Sequence, residues 1–240
     1  MTAVYDALPI RRCTPRLSPG RITASCALAG MGRCGAPCAG EQSVEEYAVI
    51  ADVLRRAADG DPGDLLTPLL ARLAVLADAG RFEDAAALRD RITVLLRGCL
   101  RWQRLRSLWM VAELVAARSD GSGGWLLAVV RQGRLVAAGR AASGVAVRPY
   151  LADLLISAET VTAPLGSAAA TPEETEVILR WLDTPGTRLV DLTGVLSCPA
   201  RGGPAASWLS HVAGADQQLA PFADQRALRT RSRPDRVGAA

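Results

Sequence analysis

Residues 70–96 read LARLAVLADAGRFEDAAALRDRITVLL, and their spacing decides the architecture of the middle of the chain. Leu66, Leu69, Leu70, Leu73 and Leu76 recur at three- and four-residue intervals before Gly80. Phe82, Ala85, Ala86, Leu88, Ile92, Leu95 and Leu96 do so after it. That is the period of two amphipathic helices, one from about Leu65 to Ala79 and one from about Glu83 towards Leu105, with Gly80 ending the first. Helices joined by so short a turn pack as an antiparallel hairpin. Two helices alone cannot bury both apolar faces, so the hairpin needs another part of its own chain or a partner. Small Ala85 and Ala86 allow close helix approach. Phe82, at the turn, would be an anchor of the kind that dominates interface energetics if the hairpin meets a partner.

Working outward, SVEEYAVIADVLRRAADG (residues 43–60) reads as a further helix. Ser43 caps it, Glu45 and Glu46 suit its positive end, and Gly60, Pro62 and Gly63 stop it. Downstream, VAELVAAR (111–118), WLLAVVRQ (125–132) and RLVAAGRA (134–141) read as strands, the last two joined by a tight turn at Gly133. PEETEVILRWLD (172–183) reads as a helix with Pro172 in its first turn, and TRLVDLTG (187–194) as a short strand. The fold class expected is α+β: an irregular Cys-rich metal-binding segment, a helical hairpin, then a small mixed α/β C-terminal domain. The boundaries expected are 1–42 for the Cys-rich segment, 43–110 for the helical region with its hairpin at 66–97, 111–215 for the small domain, and 216–240 for a disordered basic tail ending in RTRSRPDRVGAA.

Composition narrows the class. The 240 residues are 50% hydrophobic but only 4% aromatic, so the core is built from Ala, Val and Leu. All 28 basic residues are Arg, and the net charge of +4 permits nucleic-acid binding without demanding it. No run of about 18 apolar residues marks a membrane span, and MTAVYDALPIRRC carries no signal core. The expected location is the cytoplasm, where thiols stay reduced and a disulfide framework is not expected.

Four of six cysteines fall within 26 residues: Cys13, then Cys26, Cys34 and Cys38 in CALAGMGRCGAPC. Gly32, Gly35 and Gly40 let the backbone curl, Pro37 stiffens the approach to Cys38, and Arg16, Arg21 and Arg33 favour thiolates and an anionic centre. Structural zinc usually takes two close pairs, and only Cys34 and Cys38 are close. Three near cysteines plus one distant suit iron–sulfur ligation, with zinc as the alternative. Free buried thiols would not explain clustering in so polar a segment. Cys99 and Cys198 stand alone.

The pattern RRC…CAL…MGRCGAPCAG followed by SVEEYAVIADVLRRAADG resembles the central cysteine-rich segment of UvrC, the nuclease subunit of bacterial nucleotide excision repair. The resemblance implies a [4Fe-4S] cluster on Cys13, Cys26, Cys34 and Cys38. Residues 70–96 resemble the UVR motif, a helical hairpin through which UvrC and UvrB bind one another; Phe82, Glu83, Ala85, Ala86, Arg89 and Asp90 match its signature. That implies a UvrB-type partner. The whole chain looks like the C-terminal part of actinobacterial fusions of a DEDD exonuclease, a GIY-YIG domain and a UvrC-like region. This chain begins almost at the cysteines, leaving no room for a GIY-YIG domain, and its end lacks a helix–hairpin–helix repeat.

Residues 111–140 resemble the opening strands of the UvrC ribonuclease-H-like domain, which needs convergent carboxylates for Mg²⁺. Here Ala116 and Ala117 stand where an acid would be sought, Asp120 lies in a loop, Asp183 and Asp191 are isolated, and Glu173, Glu174 and Glu176 look like helix N-terminal acids. No catalytic residue is therefore assigned; the alternative is a divergent Mg²⁺-dependent nuclease built on Asp120. The single histidine, His211, excludes a histidine-based triad. Arg11, Arg12, Arg16, Arg21 and Arg33 form a basic stretch suited to phosphate contacts. Arg97, Arg101, Arg104 and Arg106, interleaved with Trp102 and Trp109, form a second. The function expected is a UvrC-like accessory protein or fragment that binds a cluster, a UvrB-type partner and DNA. The other alternative is a zinc-binding interaction module.

Overall fold

A long helix organises the chain. In a computed structural model, which describes residues 2–18, 22–197 and 204–211, helix α5 (Phe82–Trp109) runs for 28 residues from the hairpin turn to the sheet. Before it come α1 (Thr2–Ala7), the single turn α2 (Ala27–Gly30), a 3₁₀ turn at Pro37–Ala39, α3 (Val44–Asp59) and α4 (Gly63–Asp78). After it come β1 (Glu113–Ser119), β2 (Trp125–Arg131), β3 (Arg134–Ala141), α6 (Val147–Ile156), α7 (Pro172–Leu182), β4 (Arg188–Thr193) and a 3₁₀ segment at Pro204–His211. The architecture is α+β with a four-stranded sheet in the order β3-β2-β1-β4. All three strand pairings are antiparallel.

The local causes follow the sequence. Ser43 caps α3 in a reciprocal box: its hydroxyl accepts from the Glu46 N–H at 3.1 Å, and its own N–H donates to the Glu46 carboxylate at 2.8 Å. Gly80, at φ +69, closes α4, and the Arg81 N–H returns to the Leu76 carbonyl at 2.9 Å. Gln132 and Gly133 both take positive φ in the two-residue β2–β3 turn, as a hairpin turn matching strand twist requires. A Cβ on Gly133 would also meet Trp109 at 2.6 Å, so glycine is fixed there twice over.

The α4–α5 hairpin buries Leu66, Leu69, Leu88, Ile92 and Leu96 against Ala3 of α1. Trp208 and Leu209 of the last 3₁₀ segment pack on the same cluster. The hairpin's inner face is thus covered by its own chain. Helix α1 corrects the expectation of an irregular N-terminal segment: at six residues it is too short to carry a periodic signal, and burial of Ala3 and Val4 on the hairpin holds it. Farther along α5, Leu105, Leu108 and Trp109 join Leu114, Ala116 and Val130 of the sheet and Ile178 and Leu179 of α7. The other sheet face packs Val115, Val129 and Val136 against Leu151, Leu154 and Leu155 of α6. The sequence reading did not single out α6. Among the described residues no helix is long and apolar enough to cross a membrane. The expected tail at 216–240 lies outside the described residues.

Candidate cysteine centre and hairpin interface

The cysteine segment is built from turns that glycine and proline impose. Cys26 precedes α2 in extended conformation, and its carbonyl accepts from the Ala29 N–H at 2.9 Å. After Gly32 (φ +66) the chain reaches Cys34, then Ala36, which is left-handed at φ 51 and 1% exposed, then the Pro37–Ala39 turn and Gly40 at φ 76. A non-glycine residue held in the left-handed region is a local strain that the surrounding turn must sustain. The Cys38 carbonyl accepts from both the Thr23 N–H (2.8 Å) and the Thr23 hydroxyl (3.2 Å). That pair stitches the segment leading to Cys26 onto the Pro37–Ala39 turn.

Cys34 and Cys38 are half-buried; Cys13 and Cys26 are exposed. Four thiols are the right number and chemistry for one iron–sulfur cluster or one zinc ion. The structure ties two limbs of the segment together but does not gather the sulfurs: among the described residues no three Cys, His, Asp or Glu side chains form a group able to hold a metal. Cys99 is buried on α5, and burial pushes its thiol up to about 11. It is chemically apart from the other four.

The arginines beside the cysteines take varied partners. Arg11 donates to the carbonyls of Cys13 (2.8 Å) and Pro15 (2.5 Å), shaping the loop around Cys13. Arg12 stacks over Tyr5 at 4.6 Å. Arg33 lies 4.0 Å from the Asp6 carboxylate, which also meets Arg91 of α5 at 3.3 Å. Arg16 is exposed. Arg21 lies outside the described residues, as does Cys198. In the second basic stretch, Arg101 pairs with Glu176 of α7 and Arg104 with Asp183 just past the end of α7, while Arg106 meets Asp59 at 3.4 Å. Those three hold helices together and do not stand free for phosphate.

At the hairpin turn Phe82 is 68% exposed, an aromatic ring at the far end of α5 with no core to fill. Val75 and Val94 are likewise exposed on the hairpin's outer surface. Ala85 is buried, as close helix approach requires, and Ala86 half-buried. Glu83 is exposed, and Arg89 pairs with its neighbour Asp90 at 3.1 Å. Five of the six signature residues thus leave a side chain at least partly accessible.

The acids of the sheet half serve separate roles. Asp120 accepts from the N–H groups of Ser122 (2.8 Å) and Gly124 (2.9 Å) and from the Arg140 guanidinium (2.8 Å). The Ser122 N–H and then the Arg140 guanidinium hold its carboxyl well below the usual carboxylate range. Asp191 accepts from the Leu192 N–H, and Glu174 from the Leu135 N–H.

No family model matches the chain, and no solved structure matches it. Among known proteins, 211 residues (83% of this chain) are 37% identical to a protein of Mycobacterium tuberculosis (strain CDC 1551 / Oshkosh) named bifunctional exonuclease/endonuclease; the match covers 32% of that protein. UvrABC system protein C of Nitratidesulfovibrio vulgaris is 35% identical over 94 residues, 39% of this chain and 14% of the relative. The same protein of Carboxydothermus hydrogenoformans is 32% identical over 126 residues, 52% of this chain and 21% of the relative. The chain therefore spans at most a third of the length of these three relatives.

Proposed function

We propose that this chain is a UvrC-like accessory protein, or a piece of one, acting in DNA repair. In this reading Cys13, Cys26, Cys34 and Cys38 hold a [4Fe-4S] cluster. Phe82, Glu83, Ala85, Ala86, Arg89 and Asp90 form the docking end for a UvrB-type partner. Arg11, Arg12, Arg16, Arg21 and Arg33 contribute phosphate contacts; of the described four, Arg12, Arg16 and Arg33 are exposed and Arg11 is half-buried. The observation that carries the reading is the hairpin: its inner face is closed by its own chain while Phe82 is presented to solvent at the turn. A buried aromatic would be core; this one is available to a partner. Likeness to UvrABC system protein C and to a protein named for nuclease activities supports the repair setting.

The cluster would supply a fixed, electron-rich centre that draws four thiolates together. Cys38 lies in the Pro37–Ala39 turn, four residues after Cys34, and the Thr23–Cys38 hydrogen bonds keep the limb that leads to Cys26 beside it. Iron and acid-labile sulfide are to be measured on anaerobically purified chain. About four of each per chain supports a four-cysteine cubane. One zinc without sulfide moves the function to a structural interaction module, and a folded chain without metal overturns the centre. Independently, Phe82→Ala should weaken binding of a purified UvrB-type protein; unchanged affinity overturns the docking assignment.

The name of the Mycobacterium tuberculosis relative favours a second reading, a Mg²⁺-dependent nuclease in residues 111–215. Its chosen acid, Asp120, is engaged by Arg140 and two turn N–H groups, and Asp183 is paired with Arg104. Incision of DNA by the pure chain with Mg²⁺, abolished in Asp120→Asn, would establish it in place of the accessory role.

A further inference from the structure

Helix α7 crosses one face of the sheet obliquely. At its start Glu174 accepts from the Leu135 N–H at the β2–β3 turn (3.0 Å); at its end Trp181 lies under the Arg118 guanidinium of β1, 5.3 Å from the ring centre. The far corner of β2 and β3 is left open as a groove of about 490 Å³. Its floor is Leu126, Ala128 and Ala138, and its wall is Val177, Ile178 and Trp181. The short alanines let another backbone approach the sheet closely. Val177 and Trp181, one turn apart on α7, present the i, i+4 ridge against which a second helix packs. Val177 is 55% exposed, an apolar side chain that the described residues leave largely uncovered.

Arg140 is the charged residue that lines the groove, and Arg118 adjoins two of its lining residues, Leu126 and Trp181. The register aligns Arg118 of β1, Leu126 of β2 and Arg140 of β3 in a single cross-strand row. Arg140 is held by Asp120. Arg118 is half-buried on Trp181, and among the described residues no carboxylate pairs with it. A carboxylate delivered beside this half-buried guanidinium would add a charge-assisted hydrogen bond in a partly screened setting.

We infer that this groove docks an amphipathic helix of a partner protein, laid beside α7 on β2 and β3 with its apolar stripe on the alanines and a Glu or Asp at the Arg118 end. The surface is separate from the Phe82 end of the hairpin. Residues 225–240 of this chain are poor candidates, since they carry five arginines against one acid.

The test uses the full chain and a labelled synthetic helix with a leucine stripe and glutamates along one flank, read by fluorescence anisotropy. A matched peptide with lysine for glutamate should bind roughly tenfold or more weakly. Arg118→Glu should reverse that order, which mere loss of stability would not do. Ala138→Trp, filling the groove, should abolish binding of the acidic peptide. If that variant misfolds by circular dichroism, the Arg118→Glu reversal decides alone. Phe82→Ala should leave peptide binding unchanged; if it weakens it, the groove is not the separate surface inferred. Equal affinity for the two peptides, or no effect of Arg118→Glu, overturns the proposal. So does a dimer of the free chain that Ala138→Trp dissolves, which makes the occupant a second copy. So does saturable binding of decanoate with none of the peptide, which makes the groove a small-amphiphile site.

Discussion

Cys99 shows how far burial alone separates one thiol from others of the same chemistry. It is 5% exposed on α5, and burial pushes its thiol up to about 11 from the ordinary value of about 8.5. Nucleophilic attack needs thiolate, so brief iodoacetamide treatment of the metal-free chain near neutral pH should label Cys13 and Cys26 first. Cys99 should be labelled only in denaturant; peptide mapping reads the order, and early Cys99 labelling would contradict the buried site. The sign of its linkage follows. A neutral thiol is favoured in the folded chain, so its contribution is whole below the unfolded value and is lost as pH rises towards 11. Asp120 has the opposite sign. Its lowered carboxyl contributes above the unfolded value of about 3.9 and loses that contribution as pH falls further. Asp120→Asn removes the ion pair with Arg140, so it should lower the urea midpoint at neutral pH and flatten the acid limb. A midpoint unchanged at neutral pH would mean the pair does not stabilise the β1–β2 turn.

At the scale of elements, what could be read in advance was what is written locally. The leucine spacing of 65–105, the Ser43–Glu46 box and the Gly80 and Gly133 turns each need only a few neighbouring residues to specify them, and α3, α4, α5 and β1–β4 formed accordingly. Helix α6 was not singled out because none of its residues is fully buried and its packing partners, Val115, Val129 and Val136, come from β1, β2 and β3. The identities of the four clustered cysteines were visible; how far apart a turn-rich segment holds them was not, since that depends on long-range contacts such as Thr23 to Cys38. The hairpin divides its apolar residues by role, and mutation should expose the division. Ile92→Ala or Leu88→Ala empties a site 1% or less exposed and should cost about 2–5 kcal/mol in urea unfolding. Phe82→Ala removes a larger side chain from solvent and should cost about 0.5 kcal/mol or less. A large loss at Phe82 would mean that its ring is core and that it has no docking role.

Beside the apolar packing of Ala3, Trp208 and Leu209 on the hairpin, polar junctions among the described residues link the cysteine segment, the hairpin and the sheet, and two of them stand out. One is Asp6 of α1, whose side chain is 8% exposed between Arg33, beside Cys34, and Arg91 of α5. The other is the distal half of α5. There Arg101 and Arg104 reach α7, the Trp102 indole donates to Asp59 at 2.8 Å, and the Gln103 amide donates to the carbonyls of Ala58 (3.1 Å) and Gly60 (2.6 Å). Helix α5 is therefore a common spine, with its first half in one core and its last turns in another. Asp6→Ala strips two guanidinium groups of their shared carboxylate. Both are partly exposed, so the loss should be about 1–3 kcal/mol rather than the larger cost of breaking a fully buried pair. The two ion pairs broken by that change join α1 to the cysteine segment and to the first half of α5, whereas β1–β3 are held by their own ladder and by α6 and α7. Hydrogen exchange should then quicken in residues 2–18, 26–40 and 82–95 and leave residues 113–141 protected. Equal loss of protection in the sheet would show instead that α5 transmits the loosening of its first half along its full length.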